Sequence, residues 1–313
     1  MVKIAEEPKK KIVSNDIRIV AHSLLVEAAA EIGQRCIKLS LNENPDQLIR
    51  LTEMSEHAKH HQKYPIDLIV EGITNEEIRP RVELLEGQVG LSVARRMEHS
   101  PERVVDPKMQ HYILSNPIEG SDNFANAVRH RAQQRMTNRN PRIFNPQAGI
   151  TLALVDGNDP LHPIATAVYH FYNDEIYSSI TIVGPDGKIT PMAFLGKEKS
   201  LVGGLTSEQE TSIYGRDLTF LVADYKFNFR KGIEAFQTSL VRYGLEKQVQ
   251  NVDPTGGECC TASNILQVID GEGSDGYIDL RALFTDPPKE GRYAKMLYTN
   301  AIAVLPIAEG FGF

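Results

Sequence analysis

Apolar residues recur every three or four positions between residues 16 and 39, which is the period of one face of an α-helix. Ser14, Asn15 and Asp16 stand at the start of this stretch, and side chains of these types cap helix N-termini. The pattern therefore predicts an amphipathic helix whose apolar side packs against a core. Residues 45–61 predict a second helix.

The next stretch combines a strand signal with a helix signal. Residues 64–72 are rich in apolar and β-branched side chains and predict a short strand that leads into a turn. The polar residues Thr74, Asn75 and Glu76 then resemble a helix start, and this helix is expected to reach Leu85. The charged residues 95–108 predict a loop or an insertion.

A series of apolar, β-branched runs follows, separated by turn-forming residues. These runs cover residues 111–114, 148–155, 164–171, 175–183, 218–223 and 277–280. Pro185, Asp186 and Gly187 form a hairpin signal, so the central runs predict a meander of antiparallel strands. Helices are predicted at 230–243 and 261–270, and residues 301–307 are apolar throughout. This order of elements indicates an α/β fold, a layered α+β sandwich.

The composition is that of a folded protein. A chain of 313 residues with 41% hydrophobic and 24% charged residues buries a full core as one large domain or two packed halves. We expect an N-terminal half, 1–183, and a C-terminal half, 184–313, packed as one unit. The three cysteines include an adjacent pair and form no spaced disulfide framework, which favours a reducing, cytoplasmic location. No apolar run approaches the roughly 20 residues that span a bilayer, so we expect no membrane partner.

The charge distribution limits the choice of partners. A net charge of −7 argues against general nucleic-acid binding, which relies on a basic surface. One local exception places five arginines within fourteen residues: Arg129, Arg131, Arg135, Arg139 and Arg142. These arginines form either a solvated helix face that runs into a loop or a clamp for a phosphorylated ligand, because guanidinium groups match phosphate oxygens.

The run at 116–124 follows a predicted strand and reads Asn-Pro-Ile-Glu-Gly-Ser-Asp-Asn-Phe. It resembles the metal motif of the inositol monophosphatase-like family of Mg²⁺-dependent phosphatases, which reads Asp-Pro-Ile/Leu-Asp-Gly-Thr/Ser. Asn116 stands at the first Asp of that motif and Glu119 at the second. A version with Glu at the second position occurs in the class II fructose-bisphosphatase branch of the superfamily.

The resemblance covers roughly residue 16 to the end of the chain and is weakest in the N-terminal third. Residues 148–154 and 164–169 are similar to the paired strands that follow the family's metal motif, and 257–281 resembles its substrate-side helix and next strand. Residues 308–312 resemble the second half of its last signature, Trp-Asp followed by Glu-Ala-Gly-Gly. Counting back from there places Thr299 or Asn300 at the acid position, and the chain contains no Trp.

The resemblance implies a fold and a site. The fold is one of alternating α-β-α-β-α layers of the inositol monophosphatase/fructose-bisphosphatase type, shortened at the C-terminus, in a homodimer. The metal ligands are Asn116, the Ile118 carbonyl and Glu119, holding one Mg²⁺ ion or none. Glu119 and Ser121 take the catalytic positions. The substrate side comprises Gly120, Ser121, Asp122, Arg129, Arg131, Cys259 and Asn300.

Several acids of the family pattern are replaced. The upstream ligand position falls on Ile73, and only Glu86 or Glu98 lies near the position of the usual Glu-Glu pair. A carboxylate about 4 Å from a cation interacts by about 4 kcal/mol per unit charge at an effective dielectric near 20. Losing these acids removes most of the attraction that a pair of divalent ions needs. An alternative role for Glu119 is a helix N-terminal carboxylate favoured by the helix dipole.

Three functions remain open from the sequence. The first is a protein with an altered metal site that binds a small phosphorylated or anionic metabolite, with or without new acid–base chemistry at Glu119, Asp122 or Cys259. The second is a Mg²⁺-dependent phosphomonoesterase acting on sugar or inositol phosphates. The third is a non-catalytic pseudo-phosphatase or partner protein.

Overall fold

The computed structural model describes residues 14–49, 65–97, 110–137, 146–157, 159, 162–196, 200–201, 218–223, 238, 247–251, 260–270, 276–279 and 292–311. The helices in these ranges are α1 (Asn15–Asn42), α2 (Pro45–Ile49), α3 (Pro65–Val89), α4 (Ser121–Met136), α5 (Thr261–Ile269) and α6 (Arg292–Phe311). The strands are β1 (Val93–Met97), β2 (His111–Glu119), β3 (Gly149–Asp156), β4 (Ala165–His170), β5 (Glu175–Val183), β6 (Ile189–Leu195), β7 (Ser200–Leu201), β8 (Leu218–Ala223), β9 (Lys247–Asn251) and β10 (Gly276–Asp279). None of the helices described is long and apolar enough to cross a membrane.

The main sheet contains seven strands in the order β1-β2-β3-β4-β5-β6-β7. β1 pairs with β2 in parallel, and each later neighbour is antiparallel, which confirms the predicted meander. All nine residues of β2 and all six of β4 are buried. Continuous burial along a strand means that both faces of the sheet are covered.

Successive side chains of the central strands enter two different cores. Ile113, Leu152 and Tyr169 lie in a core with α1, α3 and α4, whereas Leu114 and Ala153 lie in a core with α5 and α6. This division follows from the two-residue period of a β-strand, which points neighbouring side chains to opposite faces. The sheet is therefore sandwiched between two helical layers.

A second sheet adds a fourth layer. β10, β8 and β9 pair in parallel in that order, and α5 contacts β10. The layers described thus run α-β-α-β, and the α/β layered fold expected from the sequence is confirmed. The helix predicted at 230–243, which would supply a further layer, lies outside the described residues apart from Thr238.

Helix α1 confirms the first sequence prediction. The Ser14 hydroxyl accepts a hydrogen bond from the Ile17 amide at 3.4 Å and caps the helix. Helix α2 begins at Pro45 as predicted, and the remainder of the predicted helix to residue 61 lies outside the described residues.

The strand predicted at 64–72 is wrong over its described residues, because α3 runs without interruption from Pro65 to Val89. Its β-branched residues also satisfy a helical period, since one row of buried residues recurs every four positions at Ile66, Val70, Thr74, Ile78 and Val82. This four-residue spacing packs α3 against α1, and the helical contact outweighs the local strand preference. The loop predicted at 95–108 is likewise wrong at residues 95–97, which belong to β1.

The expected division into halves at residue 183 stays a prediction. Strands β5 and β6 form a hairpin around this position, with Gly187 at a φ of 79° in the turn. β6 therefore belongs to the same sheet as the strands of the N-terminal half.

Two helical glycines provide a matched test of the α1 packing. A Cβ at Gly33 would lie 2.5 Å from the buried ring of Tyr169, whereas a Cβ at Gly72 would meet nothing within 4 Å. We expect Gly33→Ala to lower the free energy of unfolding by about 1–3 kcal/mol through overpacking. We expect Gly72→Ala to raise it by up to about 1 kcal/mol through helix propensity. Urea unfolding measures both, and a Gly33→Ala variant as stable as the parent would contradict the packing.

Candidate functional site

A bulge in β2 sets the geometry of the motif. In the ladder with β3, Asn116 is opposite Thr151 and Glu119 is opposite Gly149. β2 therefore advances three residues where β3 advances two, which is the signature of a β-bulge. Pro117 lies inside this interruption, where its missing N–H costs no regular ladder bond.

The bulge places Asn116 and Glu119 on the same face of the sheet. Strict alternation would put Asn116 with Leu114 on the α5/α6 side and Glu119 with Ile113 on the α1/α3 side. The extra residue returns Glu119 to the α5/α6 side. Both side chains then contact helices of that layer.

Glu119 binds the N-terminus of α5. Its Oε1 accepts a hydrogen bond from the Thr261 amide at 2.6 Å, and its Oε2 accepts one from the Ala262 amide at 3.0 Å. Glu119 is 6% exposed, so these bonds are shielded from water. The first amides of a helix have no partner within the helix, and a carboxylate satisfies them with short, charge-assisted bonds.

The residue at the N-cap of α5 is Cys260. Its Sγ accepts a hydrogen bond from the Ser263 amide at 3.4 Å and donates one to the Glu119 carbonyl at 3.7 Å. A thiol is a weaker acceptor than the oxygen side chains preferred at this position. The Glu119 carboxylate therefore supplies the stronger part of the cap from a different element.

Asn116 and Asn300 form a second contact between the sheet and the helical layer. Asn116 Nδ2 donates to Asn300 Oδ1 at 3.1 Å, and Thr151 Oγ1 donates to the same oxygen at 3.3 Å. All three residues are buried. Asn300 lies inside α6, which begins at Arg292, so this position is not at a helix start as it is in the family signature.

Gly120 brings two helix N-termini together. It connects β2 to α4 with a φ of 80°, and a Cβ there would lie 2.9 Å from the Gln147 carbonyl and 3.2 Å from Cys260 Cβ. α4 begins at Ser121 and α5 at Thr261. The aligned backbone dipoles of a helix give its N-terminus a partial positive charge, so this junction has a positive backbone potential.

Four further predicted substrate residues lie along α4: Ser121, Asp122, Arg129 and Arg131. Ser121 and Asp122 lie in its first turn and are half-buried. Arg129 is eight positions further, a rise of about 12 Å along the helix, and its Nη1 donates to Asn126 Oδ1 at 2.9 Å. Arg129 and Arg131 therefore do not share the first turn with Ser121. Cys259 lies outside the described residues.

Sequence reasoning missed two further contacts that hold α5. His170 Nε2 and Ser263 Oγ lie 2.6 Å apart, and Tyr177 donates its hydroxyl hydrogen to Asp270 Oδ2 at 2.5 Å. With Glu119, they attach the beginning, first turn and end of α5 to strands of the main sheet. A titratable residue at the end of a largely apolar strand, as His170 is in β4, is the signal that points to such a contact.

The oxygen atoms near the motif that could coordinate a metal ion show how well the residues fit a metal site. Glu119 contributes a carboxylate near the motif, and both of its oxygens accept hydrogen bonds from backbone amides. Asn116 Oδ1 is buried and accepts no hydrogen bond from the described residues. As an amide oxygen, it would be a neutral metal ligand. No group of three His, Cys, Asp or Glu side chains with metal-binding geometry occurs within the described ranges.

The remaining candidate ligands lie elsewhere. Ile73, at the upstream ligand position, is part of the hydrophobic core. Glu86 Oε1 accepts a hydrogen bond from the Val93 amide at 3.3 Å, and Glu98 lies outside the described residues. Mg²⁺ favours several hard, charged oxygen ligands, and a two-metal centre surrounds its ions with carboxylates. One hydrogen-bonded carboxylate and neutral amides do not fit such a centre.

Comparison with known proteins shows which solved structures share this fold. No family model and no curated protein matches the chain. The extragenic suppressor protein SuhB from Bartonella henselae superposes with a TM-score of 0.54 at 13% identity, covering 92% of this chain and 84% of SuhB. Inositol monophosphatase II from Staphylococcus aureus gives a TM-score of 0.46 at 16% identity, covering 94% of this chain and 82% of its own. The likeness to SuhB establishes a common fold.

The buried His170 predicts a pH dependence of stability. Desolvation lowers its pKa from 6.5 to about 4, so the folded protein binds fewer protons than the unfolded chain between these values. This contribution to stability is complete above pH 6.5 and is lost as the pH falls towards 4, by about 3 kcal/mol in total.

We expect His170→Gln to remove that contribution, while the exposed His130→Gln control retains it. Chemical unfolding of the three proteins at several pH values measures the difference. A gap between parent and His170→Gln that does not change from pH 7 to pH 4 would contradict the assignment.

Proposed function

We propose that this phosphatase-like protein binds a small phosphorylated or otherwise anionic metabolite without two-metal hydrolysis. The observation that carries the proposal is the meeting of the α4 and α5 N-termini at Glu119 and Gly120. The backbone amides of Gly120, Ser121 and Asp122 are the groups that would contact the anion. The altered metal site, the predicted homodimer and the roles of Ser121 and Asn300 belong to the same proposal.

The charges around the two helix starts decide where an anion can bind. Glu119 directs its carboxylate to α5, so the partial positive charge of that helix is already balanced. We place the anion at the start of α4, the other helix N-terminus of this junction, where Asp122 in the first turn opposes an anion. Ligand affinity is therefore expected to be modest and to respond to the charge of Asp122.

Arg129 and Arg131 are expected to contribute less to anion binding than the backbone amides at the start of α4 do. Arg129 and Arg131 follow Ser121 by about 12 Å or more along the helix axis, which exceeds direct contact with a phosphate at the first turn. A clamp formed by these side chains would require a ligand that extends along α4.

Phosphomonoester hydrolysis with Mg²⁺ is the second candidate. It is favoured by the retained carboxylate of Glu119 and by the fold shared with SuhB. Inositol monophosphatase II from Staphylococcus aureus has also been crystallised with inositol monophosphate and with 2′-AMP, which indicates the ligand class to test first.

Calorimetric titration with inositol 1-phosphate in EDTA tests binding, with unphosphorylated inositol as the neutral control. We expect binding of the phosphorylated compound alone and no Mg²⁺-dependent phosphate release above that of Glu119→Gln. Mg²⁺-dependent release that Glu119→Gln abolishes would replace the proposal with a phosphomonoesterase. The absence of binding across a panel of phosphorylated metabolites would overturn it in favour of a partner protein.

Substitution of Asp122 locates the bound anion. Removing one negative charge from the first turn is worth about 1 kcal/mol, so we expect Asp122→Asn to tighten inositol 1-phosphate binding by about fivefold. Arg129→Gln is the control and should change the dissociation constant by less than about twofold. Unchanged affinity in Asp122→Asn, together with a large loss in Arg129→Gln, would move the site to the arginine face of α4.

A further inference from the structure

We infer that the residues at the expected metal positions form a metal-independent lock that holds α5 and α6 on the main sheet. The lock consists of Glu119 on the N-terminus of α5 and of Asn116 and Thr151 on Asn300 of α6. It links the strands to the helical layer through hydrogen bonds alone. It does not depend on the proposed ligand, because none of its contacts involves one.

The geometry of the lock depends on the bulge. A regular β2 would turn Glu119 towards the α1/α3 core and leave the first amides of α5 without this partner. With the bulge, Asn116 and Glu119 lie on one face and reach two different helices. The strand thereby fixes the spacing between α5 and α6 as well as their distance from the sheet.

The charges of the lock are balanced without a cation. The single carboxylate of Glu119 accepts two amides at the positive end of a helix, and the Asn116–Asn300 contact joins neutral groups. Carboxylates at positions 116 and 300 would instead repel each other and Glu119, and a divalent ion would be needed to offset that repulsion. Because Asn116 and Asn300 are neutral, their contact needs no metal ion.

Helix α5 relies on such external contacts. It has nine residues, and a helix of that length is marginal on its own in water. Its N-cap side chain is a thiol, so much of the stabilisation of its first turn comes from Glu119. The lock also positions Cys260 against Gly120, at the junction of the two helix starts.

Thermal unfolding with and without divalent ions tests the lock. We expect the parent protein to unfold at the same temperature, within about 1 °C, in EDTA and in millimolar Mg²⁺. Glu119→Gln presents one acceptor and one donor to two amides, so we expect it to lower the unfolding temperature by about 2–6 °C in both buffers. Glu83→Gln, at an exposed position of α3, is the matched control and should leave it unchanged.

The double variant Asn116→Asp/Asn300→Asp tests the role of the amide pair. We expect it to unfold below the parent in EDTA and to regain stability in Mg²⁺, so that metal dependence is created by two substitutions. If this variant does not fold, the Mg²⁺ comparison on the parent and Glu119→Gln still decides the question.

Three results would overturn the inference. One is a parent protein that Mg²⁺ stabilises and whose stabilisation Glu119→Gln abolishes. Another is a Glu119→Gln variant as stable as the parent, and the third is a double variant as stable as the parent in EDTA. Because these measurements contain no phosphorylated ligand, their outcome is independent of the calorimetric test of binding.

Discussion

The contact between the Glu119 carboxylate and the first amides of α5 is the constraint around which the candidate site is arranged. It joins the C-terminal end of β2 to α5, the helix that lies between the main sheet and β10. A buried carboxylate needs compensating partners, and the free amides of a helix start need acceptors. Each group meets the requirement of the other, so removing either leaves an unsatisfied group in the interior.

The same contact determines what chemistry the region supports. A carboxylate already held by two amides is less available to a cation than one that faces solvent or other acids. Its negative charge also cancels part of the positive potential at the helix junction, and the proposed anion would bind at the start of α4. α5 binds the internal carboxylate of Glu119, and in the proposed function α4 would bind the external anion.

Local patterns in the sequence predict much of the fold but few of the hydrogen bonds within the candidate site. The cap at Ser14 and the strands β3, β4 and β5 follow from signals within a few residues of each other. The misassigned residues 64–72 carry a strand preference and a helical period together, and only packing against α1 decides between them.

The partners of Glu119 lie 142 and 143 residues further along the chain, and no local signal indicates them. The helix-terminal role considered for Glu119 is realised at α5 rather than at α4, the helix that directly follows it. Asn300 is different, because counting back from Glu309 along a resembled signature gives Thr299 or Asn300 as the site position. The structure places Asn300 in contact with Asn116. Motif spacing therefore predicts positions along the chain, whereas the bulge that turns Glu119 to its partner requires the three-dimensional pairing with β3.

The central claim is that the Asn116–Glu119 region holds α5 and α6 without a metal ion. Its most direct test is a crystal structure of the parent protein grown with millimolar Mn²⁺ and measured for anomalous scattering. The account predicts no anomalous peak between Asn116 and Glu119, with the Glu119 oxygens on the amides of Thr261 and Ala262. A Mn²⁺ peak coordinated by Glu119, with the carboxylate turned away from those amides, would contradict it.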